Sequence, residues 1–323
     1  MTALYNAIVD AHRQLRPQVR YTALDYSPAL SQLTGCEVYL KAEHQQHTGS
    51  FKYRGASNKI RLLPPAARQA GVITASSGNH GQAVALAGRA VGVPVTVYAG
   101  EHAASVKLDA IRKLGVHVEL VAGDALAAEL AARAAAEQQG LTYISPYNDP
   151  QVIAGQGTVG VELAEQCPDL AAVCVAVGGG GLVSGIGTAL RQLLPQADIV
   201  GCWPLNAPAM YRCLQAGEIC DVAEQDTLSD GTAGGVEPGA VTFELCRQLI
   251  DLRTLVSEGD IRHAMRLLAE HEHWIVEGAA GVALAGLLQL APHYRGRKVA
   301  VVLCGRNIKL QDFLAAIQAG ESQ

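Results

Sequence analysis

The stretch Thr48-Gly49-Ser50-Phe51-Lys52-Tyr53-Arg54-Gly55-Ala56 places a lysine where it can do chemistry. The pattern predicts a helix capped by Ser50, with Lys52 just inside it. At that end the helix dipole is positive and disfavours a further positive charge, so the ammonium is destabilised relative to the neutral amine. A neutral amine is a nucleophile, and lysines of this kind form Schiff bases with carbonyl compounds. Most lysines are solvated surface residues, so Lys52 alone decides nothing.

Two glycine-bearing turns give it company. Val177 runs straight into Gly178-Gly179-Gly180-Gly181-Leu182, and a helix containing Ile186 and Leu190 follows. A strand, a glycine turn and a helix start offer free backbone N–H groups to an anion, and the missing side chains let a phosphate approach closely. A flexible linker is the bland reading, but linkers do not lie between a buried strand and an apolar-faced helix. The dinucleotide fingerprint G-x-G-x-x-G fails, because Val183 or Ser184 falls at the third glycine position and no acid ends the next strand, Ile199 to Trp203. No G-K-[ST] follows the turn either. The second turn, Ser76-Ser77-Gly78-Asn79-His80-Gly81, follows the predicted strand Val72 to Thr74. It offers hydroxyls and backbone donors to a small anion such as a substrate carboxylate, and an ordinary helix cap is an equal reading.

The elements that must position these groups form a repeated rhythm from residue 71 onward. Val72-Ile73-Thr74 precedes helix His80 to Val91, Val95 to Tyr98 precedes helix Ala104 to Leu114, and Val116 to Val121 precedes helix Ala125 to Gln139. Leu141 to Ile144 closes the set. A second series has strands Val173 to Val177, Ile199 to Cys202 and Val299 to Leu303, with helices Thr242 to Leu249 and Asp260 to Glu270. Alternation of this kind implies two open, parallel, twisted α/β sheets with flanking helices and a cleft between them. The strand Glu37 to Lys41 and the Lys52 helix are assigned to the second unit. The expected division is a large domain of residues 1–66 and 150–323, with a small α/β domain of residues 67–149 inserted in it.

Composition sets the outer limits. The 323 residues are 49% hydrophobic and 17% charged, an ordinary globular balance with material for two domains. The net charge of −5 has no basic block, which argues against nucleic acid or anionic membrane as partners. Asp10, Arg13 and Arg16 stand where a signal peptide needs an apolar stretch, so a cytoplasmic protein is expected. The eight cysteines form no C-x-x-C pair and are expected as buried, reduced thiols. His271-Glu272-His273 lacks the H-E-x-x-H spacing of a metal pair.

Lys52 in S-F-K-x-R-G-A, the S-S-G-N-H-G turn, Val152-Ile153-Ala154-Gly155-Gln156-Gly157-Thr158, the four glycines and Cys304-Gly305-Arg306-Asn307 occur in that order. Together they resemble the fold-type II pyridoxal-phosphate enzymes, the tryptophan synthase β-like fold, and within them the threonine/serine dehydratase and serine racemase family, over residues 20–310. The resemblance implies pyridoxal 5'-phosphate as cofactor, with Lys52 as the Schiff-base lysine and proton carrier and Gly178 to Leu182 as the phosphate cup. It implies that Asn79 meets the ring hydroxyl, that Ser76, Ser77, Gly78, Asn79 and His80 hold the substrate carboxylate, and that Ser77 faces the substrate opposite the lysine. Phe51 is expected near the ring and Cys304 beside its pyridine nitrogen. A neutral thiol there cannot hold that nitrogen protonated as an aspartate would, which disfavours a long-lived carbanion and favours loss of a β leaving group.

The implied activity is β-elimination: a β-hydroxy amino acid, whether threonine, serine or a bulkier one such as phenylserine, becomes a 2-oxo acid and ammonia. Racemisation on the same site is the runner-up, and a non-catalytic amino-acid-binding protein is the alternative of another class. Tyr147, in Pro146-Tyr147-Asn148-Asp149, stands where many dehydratases are aromatic. Some members bind a divalent cation through a V-E-P motif; here the stretch reads Cys202-Trp203-Pro204, and no metal is expected. Gly278 follows Glu277 where relatives usually have proline, and Arg306 replaces a small residue. An end at Gln323 leaves no room for a regulatory ACT domain, which fits a catabolic role, and a homodimer is the expected assembly.

Overall fold

The computed structural model describes residues 1–103, 105–123 and 125–318. The chain opens with α1 (Thr2–Leu15), strand β1 (Leu24–Tyr26) and α2 (Pro28–Thr34), which is capped by the Ser27 hydroxyl and stopped by Gly35 at φ 72°. Strand β2 (Glu37–Lys41) leads to α3 (Lys52–Arg61), the helix that carries Lys52, and α4 (Pro65–Ala70) follows.

Strands and helices then alternate as the periodicity predicts. They run β3 (Val72–Ala75), α5 (Asn79–Val91), β4 (Val95–Gly100), α6 (Ser105–Arg112), β5 (His117–Val121), α7 (Ala125–Gln139) and β6 (Thr142–Tyr143). The predicted helix start at Ala104 lies outside the described residues. The strands form one parallel sheet in the order β5-β4-β3-β6. Its core is built from Val72, Val84, Val95, Val97 and Ile144, together with Tyr53 and Ile60 of α3.

The rest of the chain supplies α8 (Pro150–Gln166), β7 (Ala172–Ala176), α9 (Gly181–Leu193), β8 (Asp198–Pro204), α10 (Ala209–Ala216) and α11 (Val241–Leu249). Then come β9 (Leu252–Val256), α12 (Glu258–His271), α13 (Gly278–Leu290), β10 (Lys298–Val302) and α14 (Leu310–Gln318). The second sheet has the order β1-β2-β10-β7-β8-β9. It is parallel except at one edge, where β1 runs antiparallel to β2, so this sheet is mixed rather than wholly parallel. An antiparallel edge on a parallel sheet is common, because an edge strand needs no crossover helix. Strand β7 and most of β10 are buried apolar runs, as strands covered on both faces must be.

Helix α8 joins the two halves mechanically. Asp149 caps it, its carboxylate accepting from the N–H of Gln151 and Val152, and Pro150 starts it. At Gly155 an added Cβ would lie 2.5 Å from the Arg54 carbonyl oxygen, and at Gly185 of α9 it would lie 2.5 Å from the Gly157 nitrogen. Backbone therefore meets backbone on both sides of α8. The helix with Lys52 and the helix behind the glycine turn are fixed to one rod, and this is the work of the Val152 to Thr158 motif.

Beneath Lys52 lies a buried ionic cluster. Arg54 donates from Nε and Nη2 to the Glu43 carboxylate at 2.8 and 2.7 Å and from Nη1 to Glu162 at 2.6 Å. Lys41 Nζ donates to Glu162 at 2.6 Å. Two cations and two anions balance, and the many hydrogen bonds offset the cost of removing four charges from water. The cluster ties β2, α3 and α8 together.

Helix α13 is apolar all round, and every residue from Gly278 to Leu287 is buried. Gly278 has no space for a side chain, since a Cβ would fall 2.1 Å from the Leu228 carbonyl oxygen. That crowding accounts for glycine at this position. The eight cysteines are free thiols. Among the described residues no helix is long and apolar enough to cross a membrane.

Candidate active site

The carboxyl ends of β3, β7 and β10 deliver the two turns and Cys304 to one region, where α3 also begins. Ser50 does not cap α3. Its backbone is extended (φ −158°, ψ 158°) and pairs with Gly305, its hydroxyl is buried without a partner, and Phe51 takes the cap position with helical angles. The reason is a bridge between the two segments: Phe51 N–H donates to Cys304 O at 3.1 Å and Arg306 N–H to Gly49 O at 2.9 Å. Lys52 and Cys304 are thereby locked into one backbone unit.

Lys52 is half-buried and its Nζ donates to the Pro146 carbonyl at 2.8 Å, 5.2 Å from the centre of the Phe51 ring. Its pKa falls from 10.5 to about 8, chiefly through burial, with Cys304 and Glu277 pulling weakly the other way. Because the shift is downward, the neutral amine is populated above about pH 8 rather than only above 10.5. Modification of the cofactor-free protein by trinitrobenzenesulfonate, followed by peptide mapping, is expected to reach half-maximal rate at Lys52 near pH 8. A rate still climbing through pH 10 would contradict this.

The glycine turn is compact. Gly178 and Gly179 are half-buried, whereas Gly180, Gly181 and Leu182 are buried. A Cβ on Gly178 would meet the Thr232 carbonyl oxygen at 2.8 Å, and one on Gly179 the Tyr147 ring at 2.5 Å. Gly180 adopts φ 86° as the cap of α9. Leu182 packs into the core, so it can serve an anion only through its N–H. Tyr147 is held over the turn by the Glu237 N–H, which donates to its hydroxyl at 2.9 Å, and burial pushes its pKa to about 12.

At the second turn Ser76, Ser77, Gly78 and Asn79 are half-buried and lead into α5. Ser76 Oγ accepts from Gly78 N–H at 3.1 Å. His80 is buried and turned away, with Nε2 3.0 Å from the Ile144 carbonyl. Burial, helped by Lys52, lowers its pKa to about 3, so its ring is neutral and its backbone N–H is what it can offer an anion. Cys304 is buried, and burial with Glu277 nearby raises its thiol well above 9.0, leaving it uncharged.

Glu277 was not among the residues the motifs singled out. It precedes α13, and its carboxylate accepts from Asn79 Nδ2 at 2.8 and 3.1 Å and from Asn307 N–H at 3.0 Å. Burial pushes its pKa up to about 7. The one cue in the sequence was its unusual neighbour Gly278. Arg306 is exposed, with its side chain against Gly49, and Glu272 is engaged by the Ser27 hydroxyl.

Among the described residues, two ion pairs cross from the four-stranded half to the segment after β8. Lys107 of α6 meets Asp230 at 2.6 Å, and Arg133 of α7 meets Glu237 at 2.5 Å.

A neutral-capable lysine, a side-chain-free turn at a helix start, an uncharged thiol and a half-buried amide fit a phosphorylated aromatic aldehyde. Residues 15–305 match the family described as pyridoxal-phosphate dependent enzyme, and the chain belongs to it. Among its relatives is an L-threonine ammonia-lyase of Thermotoga maritima, 42% identical over 301 residues, which cover 93% of this chain and 75% of the relative. The processed form of threonine deaminase isoform 2 from Solanum lycopersicum superposes with a TM-score of 0.94 at 33% identity, covering 99% of this chain and 88% of that one. A serine racemase from Dictyostelium discoideum gives 0.89 at 36% identity, covering 95% and 99%. Pyridoxal phosphate is the cofactor of this family.

Proposed function

We propose that the protein is an ammonia-lyase that converts threonine, or a close β-hydroxy amino acid, to a 2-oxo acid and ammonia. The observation that carries this reading is the half-buried Lys52 amine, with its pKa near 8, at a site whose relatives include an L-threonine ammonia-lyase. When bound, pyridoxal phosphate supplies an electron sink for the bonds at the substrate α-carbon.

The N–H groups of Gly178 to Leu182 would hold the phosphate, with Phe51 and Asn79 as the residues for the ring and its hydroxyl. The N–H groups of Ser76 to His80 receive the substrate carboxylate at the start of α5. Once the amino acid is in place, Lys52 Nζ is free to take the α-proton, and a pKa near 8 suits a base working close to neutrality. Cys304 would offer the pyridine nitrogen an uncharged thiol, which cannot hold that nitrogen protonated as a carboxylate would and so favours loss of a β leaving group over a long-lived carbanion.

The test is a panel of β-hydroxy amino acids scored for ammonia and 2-oxo acid. L-Threonine is expected to give both in equal amounts, and no turnover on any member would overturn the reading. The likeness to a serine racemase favours one second outcome, appearance of D-amino acid through reprotonation by Ser77. Chiral analysis of the same reactions decides it.

A further inference from the structure

Asn79, Glu277 and Asn307 close a ring of hydrogen bonds beside Lys52 and Cys304. Asn79 Nδ2 donates to the Glu277 carboxylate, Asn307 Nδ2 donates to Asn79 Oδ1 at 2.5 Å, and the Asn307 N–H returns to Glu277 Oε2. Asn307 Nδ2 also reaches the Thr48 carbonyl at 2.7 Å. Each contact removes a choice. With Oδ1 engaged by Asn307 Nδ2, and Nδ2 engaged by both oxygens of the Glu277 carboxylate at 2.8 and 3.1 Å, the Asn79 amide has one permitted orientation.

Glu277 also governs the Cys304 turn. Its N–H donates to the Gly305 carbonyl at 3.1 Å, and a Cβ on Gly305 would lie 2.4 Å from its carboxylate oxygen. Asn79, expected at the ring hydroxyl, and the turn that carries Cys304, expected at the ring nitrogen, therefore both rest on Glu277.

We propose that Glu277 is a positioning residue of the cofactor site, fixing the orientation of the Asn79 amide and setting the turn that carries Cys304. The proposal rests on the cofactor assignments made above, and substrate identity does not enter it. The charged and titratable groups that act on Glu277 or feel it are Lys52, the Cys304 thiol, Asp230 and Lys107. The Glu277 charge favours the protonated state of the free Lys52 amine, and a nitrogen held at the same place should feel that charge in the same direction.

The experiment is an absorbance titration of the holoenzyme against pH, with cofactor affinity measured by adding pyridoxal phosphate to the stripped protein. Glu277→Gln is expected to move the midpoint of the visible band down by about one pH unit and to weaken cofactor binding about tenfold, with thermal unfolding close to that of the parent. A titration and an affinity matching the parent would overturn the proposal. If Glu277→Gln does not fold, Glu277→Asp decides: it keeps the charge but withdraws it, and is expected to weaken binding about tenfold with a smaller midpoint shift. Unchanged binding in that variant also overturns the proposal. A parent that binds cofactor but turns over no hydroxy amino acid would fault the proposed reaction and leave this test intact.

Discussion

Lys52→Ala is expected to lose the visible band of the cofactor-loaded protein and to release ammonia from L-threonine at least about a thousandfold more slowly. Two functions disappear with one amine: the covalent hold on the cofactor aldehyde and the base for the α-proton. The scaffold should survive, because the Nζ makes one hydrogen bond, to Pro146, and belongs to no ion pair among the described residues. Lys113→Ala, at an exposed position just beyond α6, is the control and should change neither measurement. Retention of both band and turnover in Lys52→Ala would remove the basis of the proposed reaction.

The largest expected stability effect lies two residues away. Arg54→Met leaves Glu43 without its guanidinium in a fully buried place and costs about 3–5 kcal/mol, read from the urea midpoint. A pH dependence goes with it. In the parent, burial works against the Glu43 charge, but Arg54 outweighs it and holds the pKa below 4.5. That contribution is present above about pH 4.5 and is lost as pH falls through the lower folded-state value. In the variant an unpaired buried carboxylate takes up a proton readily, so the gap to the parent should narrow on acidification. Glu43→Gln added to Arg54→Met should recover part of the loss, and a gap that widens in acid would contradict the account.

Periodicity made the strand and helix alternation readable between Val72 and Tyr143, because each helix there has one apolar face and each strand is short and β-branched. It failed where burial is complete. Gly278–Leu290 is apolar on every side, so no period separates helix from strand, and α13 went unseen although it underlies the second sheet. Helix α8 was read as a motif and not as a structural rod, since its small residues signal backbone contact only once the partners are known. At the site, residue order pointed to Lys52, the glycines and Cys304, which the fold brings to one region, while Ser50 does not cap the helix because a tertiary bridge to Gly305 takes its backbone. Glu277 was hidden for a related reason. Its partners lie 198 and 30 residues away, and nothing local marks an acid as buried.

Lys107–Asp230 and Arg133–Glu237 are the part of the contact between the halves that salt can weaken. Both lie near water, with 33% and 61% side-chain exposure for Lys107 and Asp230 and 38% and 21% for Arg133 and Glu237. Such contacts contribute on the order of 1 kcal/mol or less each and weaken as salt screens them. The two sheets are thus joined in three ways: by α8, which lies against α3 and α9, by the hydrogen bonds of Asn79 to Glu277 and Asn307, and by these salt-sensitive pairs. Salt therefore reaches only the last of the three, and the helix that carries the reactive amine stays bound to its rod whatever the ionic strength.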